Sequence, residues 1–130
     1  MKYMMLIYVT EADMREPAPG VMDAHLAVTR EAIERDAYVG CDALEPTAGA
    51  VRVRVRDGQV VRSDGPFAET KEVVGGFYIF DCKDIDEAVD LAAKIPAPAS
   101  GWIEVRRVAT IPGWDEAIAD MRAAARSVHA

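Results

Sequence analysis

Apolar residues in this chain come in short blocks whose spacing changes from one block to the next. Tyr3 to Val9 is apolar at every position. Gly75 to Phe80 repeats the pattern, with Phe77 and Ile79 pointing one way and Tyr78 and Phe80 the other. Short continuous runs of this kind predict strands buried on both faces. Val51, Val53 and Val55 alternate with Arg52, Arg54 and Arg56, which predicts a strand with one wet face. Asp57-Gly58 is a hairpin-turn signal leading into the strand Gln59 to Arg62. Val39 to Leu44 and Trp102 to Val108 complete the strands.

Helical spacing fills the gaps between them. Met22, Leu26, Thr29 and Ile33 recur at that spacing after the Pro17-Ala18-Pro19-Gly20 loop. Asp84, with Glu87 three residues on, has the pattern of an N-cap and its return partner. Ile85, Ala88, Val89, Ala92 and Ile95 follow as a stripe that Pro96 ends. A last helix carries Trp114, Ala117, Ile118, Met121 and Val128 on one side. The ten residues from Glu11 to Gly20 read as an irregular connection, of the kind that lines the mouth of a site.

With the hairpin and the last helix set aside, this order is the split βαβ arrangement of ferredoxin-like α+β folds. Right-handed crossovers place both early helices on one face of the sheet. Two strands are nevertheless apolar on both faces, so the second face needs a cover larger than one terminal helix. A second copy of the chain is the simplest cover, which predicts a homodimer.

Composition narrows the class without naming a reaction. The 130 residues fit one domain, with a core over about residues 1–110 and a helix over about 113–128. A formal charge of −7 argues against a general nucleic-acid binder, which needs a basic face to neutralise phosphates. Cys41 and Cys82 sit in apolar runs without a CxxC partner and read as buried reduced thiols. Neither a secretory signal nor a run of membrane-spanning length is present, so a cytoplasmic protein without membrane contact is expected. The sequence has no metal-ligand spacing, phosphate-cradling glycine loop or dinucleotide fingerprint, and it calls for no cofactor.

His25 is the better placed of two histidines, on the flank of the first long helix. An imidazole there is either a base near neutral pH, oriented by a carboxylate, or a core-edge group satisfied by backbone or water. His129, beside the terminus, reads as frayed. Asp64 precedes Gly65-Pro66, where its carboxylate either bonds turn amides or points into a cleft as the companion of His25. Glu69, Lys71 and Glu72 form a charged cluster in which Lys71 can hold an anionic group. Arg52, Arg54, Arg56 and Arg62 either keep a hairpin edge soluble or bind acidic metabolites or a partner's acidic helix. Arg54 and Tyr3 join Lys71 as candidate ligand-binding residues for a small anionic metabolite.

The run Ser63-Asp64-Gly65-Pro66-Phe67-Ala68-Glu69-Thr70-Lys71-Glu72, followed by Gly75-Gly76-Phe77-Tyr78, resembles the signature of the DGPF branch of the YciI-like (YCII-related) family. Met1-Lys2-Tyr3-Met4, Val105-Arg106 and His25-Leu26-Ala27 are also similar to it. The resemblance implies a ferredoxin-like subunit with an inserted hairpin and a C-terminal helix, assembled as a dimeric α+β barrel. It also implies a cleft near the start of the first helix, with His25 and Asp64 as a candidate acid–base pair. The family has no settled reaction. Its DGPF members are linked with extracytoplasmic-function sigma factors, so a regulatory module with a sigma-factor-related partner stands beside a small-molecule enzyme.

Overall fold

A computed structural model describes residues 1–67 and 71–129, so Glu69 of the charged cluster lies outside the described residues. The elements in chain order are β1 (Lys2–Val9), α1 (Glu11–Arg15), α2 (Val21–Glu34), β2 (Tyr38–Ala43), β3 (Val51–Arg56), β4 (Gln59–Asp64), β5 (Val73–Asp81), α3 (Ile85–Ala92), β6 (Trp102–Arg107) and α4 (Trp114–His129). Four strands form one antiparallel sheet in the order β2-β5-β1-β6, while β3 and β4 pair as a separate two-stranded sheet. The molecule is therefore a mixed α+β structure with antiparallel sheets and a C-terminal helix.

The core lies on one face of the large sheet. Tyr3, Met5, Ile7 and Val9 alternate along β1 and are buried, together with Tyr78 and Phe80 of β5. Val28 and Ala32 of α2 and Ala88, Leu91 and Ala92 of α3 close over them. The other face carries Met4, Leu6, Tyr8, Phe77 and Ile79, all half-buried.

Several expectations change at the level of which side faces in. The buried stripe of α2 is Val28 and Ala32, whereas Met22, Leu26 and Ile33 are exposed at 70%, 51% and 58%. Both stripes have helical period, and the smaller residues let the helix axis approach the sheet closely. On α3, Ala88, Ala92 and the following Ile95 are buried as expected, but Leu91 completes the face and Ile85 and Val89 are exposed. The hairpin forms where the alternation places it, yet Val51, Val53 and Val55 are exposed, as are the arginines between them. The hairpin is not a strand pair of the main sheet, so its valine face meets no core.

One local signal holds. Asp84 caps α3 by accepting from the Glu87 amide at 2.9 Å, and the Glu87 carboxylate accepts in return from the Lys83 amide at 3.1 Å. The connection from Glu11 to Gly20, expected to be irregular, instead opens with a short helix, α1, whose first turn is capped by Thr10 Oγ1 accepting from the Asp13 amide.

Candidate functional site

A missing set of side chains makes a hollow beside the core. β5 carries a bulge at Gly75, because Ile7 pairs with Gly76 and Tyr8 with Val74. Gly76 lies opposite both Ile7 of β1 and Ala43 of β2, on the helix-facing side of the sheet. A Cβ on Gly75 would meet Val9 Cγ2 at 2.8 Å, and one on Gly76 would meet the Asp42 carbonyl oxygen at 2.9 Å. With no side chain at Gly75 or Gly76 and a methyl at Ala43, this end of the sheet is left unfilled. The segment from Asp13 to Met22 passes over it, and a cavity of about 730 Å³ results. That size suits a small organic ligand.

The walls are mostly apolar. Ile7 and Val9 come from β1, Met14 from α1, Val21 and Met22 from the first turn of α2, and Leu44 from just beyond β2. Pro96 and Pro98 close one side. The polar groups are few: His25 on α2, Cys41 on β2, Tyr78 on β5, and Asp13 and Glu16 on the covering segment, while Asp42 of β2 has its side chain on the other face, opposite Phe77.

His25 and Tyr78 form the polar centre. His25 Nδ1 lies 2.7 Å from the Tyr78 hydroxyl, and the two rings stack with centroids 5.8 Å apart. Thr29 Oγ1 donates to the His25 carbonyl at 2.8 Å and lies 3.5 Å from the same phenol. Burial lowers the His25 pKa from its ordinary value and raises that of Tyr78, so both rings are neutral at pH 7. The shortest contact is satisfied when the phenol donates to Nδ1, which leaves the ring proton of His25 on Nε2. Cys41 stands directly across from Tyr78 in the β2–β5 register and lies 3.3 Å from the Tyr38 hydroxyl. Cys41 is half-exposed in the cavity wall, whereas Cys82 is buried.

Among the described residues, only His25 of the sequence-derived candidates reaches this cavity. The Asp64 carboxylate accepts from Arg62 Nε at 2.9 Å at the exposed end of the hairpin and does not line the cavity. The companion of His25 is thus a phenol from β5 rather than the carboxylate of the turn. Lys71 and Arg54 are exposed away from the cavity, and Tyr3 is buried in the core. Arg62 pairs across the hairpin with Val53, so it lies on the valine face and not with the other three arginines. The Arg52 guanidinium sits 3.6 Å over the Phe67 ring. Tyr78 was visible in the sequence only as one side of an apolar strand. Its role follows from lying opposite the first turns of α2, a tertiary relation that strand periodicity does not encode.

Among the described residues, no group of three or more His, Cys, Asp or Glu is placed to hold a metal ion, and no helix is long and apolar enough to cross a membrane.

The sheet order and the cleft at the start of α2 define an α+β protein with a small-molecule-sized cavity. Residues 1–112 match the YCII-related domain, and the chain belongs to that family. It is similar to an uncharacterized protein of Rhizobium meliloti (strain 1021), with 39% identity over 115 residues, covering 84% of this chain and 93% of the relative.

Proposed function

We propose that this YCII-related protein handles a small organic molecule in the cavity at the start of α2, with His25 as its acid–base group. The observation that carries this reading is the 2.7 Å contact between His25 Nδ1 and the Tyr78 hydroxyl at the wall of that cavity. A phenol in place of a carboxylate orients the ring without adding a negative charge. The imidazole is then a neutral base that takes a proton from a group already acidic, such as a phenol or an activated carbon acid. The test is to incubate the protein with a metabolite extract and follow consumed species by mass spectrometry. Wild type should consume a species that His25→Gln turns over roughly 10²–10⁴-fold more slowly. Equal rates for the two proteins would remove the acid–base role.

One observation favours a non-catalytic ligand-binding or regulatory module instead. No carboxylate bonds His25 among the described residues, and burial alone lowers its pKa. That reading predicts saturable binding of an extract component with no consumption.

We also propose that the subunit is ferredoxin-like and closes into a dimeric α+β barrel. Support comes from the half-buried apolar residues Met4, Leu6, Tyr8, Phe77 and Ile79 on the sheet face that the helices α2 and α3 do not cover.

A further inference from the structure

We infer that the cavity accepts neutral or cationic apolar molecules and rejects anions. This inference rests on the small-molecule reading above and adds the charge class of the ligand.

The charged groups around the cavity are all of one sign. Asp13 and Glu16 line it, and none of its described lining residues is Lys or Arg, while the side chain of Asp42, opposite Phe77 in the register, lies on the other face of the sheet. Asp13 is held by Ser100 Oγ at 2.5 Å and Thr10 Oγ1 at 2.8 Å, hydrogen bonds that lower its pKa and keep it ionised. Glu16 is exposed at the rim, and among the described residues it has no ion-pair partner. The polar centre offers no compensating cation, since the His25–Tyr78 pair is neutral at pH 7. A carboxylate or phosphate entering would lose its water against an apolar wall while facing two like charges. The anionic ligand suggested by Lys71 and Arg54 has no counter-charge here, because both side chains lie away from the cavity.

A neutral or cationic ligand fits the same features. Its apolar body meets Val9, Met14, Val21 and Leu44, and one hydrogen-bonding group reaches His25 or Tyr78. A single like charge about 12 Å away, across an effective dielectric constant of about 20, costs roughly tenfold in affinity. Anions should therefore bind at least roughly tenfold more weakly than neutral molecules of the same shape.

Three probes of one shape and different charge test this: 2-phenylethylamine, 2-phenylethanol and phenylacetate at pH 7. The readout is the rate at which iodoacetamide alkylates Cys41, located by mass spectrometry, because that thiol stands in the wall. The amine and the alcohol should protect Cys41 saturably, with phenylacetate needing at least roughly tenfold more for half-protection. In Glu16→Gln/Asp13→Asn the phenylacetate deficit should shrink while 2-phenylethanol is unchanged. Glu16 is exposed, and Glu16→Gln alone serves as a second variant with the same expected direction. Protection by phenylacetate equal to that by the alcohol, or a deficit unaltered in both variants, overturns the charge inference and leaves the cavity reading standing. Failure of all three probes to protect Cys41 overturns the cavity reading and this inference with it.

Discussion

At the scale of single residues, the molecule places one titratable ring where burial and a phenol act on it together. His25 has its pKa lowered by desolvation, so the charged form is disfavoured in the folded state. The direction of the pH effect follows. The contribution of this neutral ring to stability is complete above the unfolded value of 6.5 and declines as pH falls below it, until the lower folded value is passed. Urea midpoints measured between pH 7.5 and pH 5 should thus fall further for wild type than for His25→Gln. Parallel curves would show that His25 is not buried as described. An NMR titration of His25, with His129 replaced by Gln to remove overlap, should give a midpoint below 6.5. Gly76 is the second residue on which the site depends. Gly76→Ala should lower the melting temperature, because its Cβ meets the Asp42 carbonyl oxygen, a backbone atom that cannot swing away. An unchanged melting temperature would show that β2 yields at this point.

Among the elements, helix faces separate what the pattern of residues determines from what packing decides. Leu91 of α3 is fully buried, while Leu26 of α2 is half exposed, although both belong to apolar stripes. Leu91→Ala should cost about 2–5 kcal/mol in urea unfolding, the range for a large core deletion. Leu26→Ala should stay within about 0.5 kcal/mol in the isolated chain, as surface changes do. A large loss at Leu26 would mean that another surface covers it. Strand positions and the α3 cap were legible because alternation at Val51 to Arg56 and the Asp84–Glu87 spacing are local signals. The choice of face on α2 was not, since Met22, Leu26 and Ile33 and the smaller Val28 and Ala32 both keep helical period. The candidate site was half legible. His25 stood out by residue type, whereas Tyr78 became its companion only through a strand and a helix that meet 53 residues apart in sequence. Asp64, beside a glycine and a proline, looked poised for a cleft but serves Arg62 within its own hairpin.

For the whole molecule, much apolar surface remains uncovered in one copy. The hairpin valines Val53, Val55 and Val60 are 66–71% exposed, and Trp114, Met121 and Val128 of α4 are similarly open. A two-stranded hairpin with no packed face is marginal by itself, which is why we propose that a second copy supports it. Sedimentation equilibrium should give twice the 14.2 kDa chain mass for wild type, and Leu6→Glu together with Phe77→Glu should shift it to the single-chain mass. A wild type that sediments as one chain at micromolar concentration would remove the dimer. The cavity is the more central claim, because it joins the bulge at Gly75, the start of α2 and the His25–Tyr78 pair in one place. The most direct measurement is an NMR titration of the labelled protein with 2-phenylethanol, following the His25 ring and the methyl groups of Met14, Val21 and Leu44. Saturable shifts concentrated on those groups, with His25 moving least in Tyr78→Phe, are the predicted result. Saturable shifts confined to Leu6, Ile79 and the hairpin valines, with the His25 ring unmoved, would contradict it.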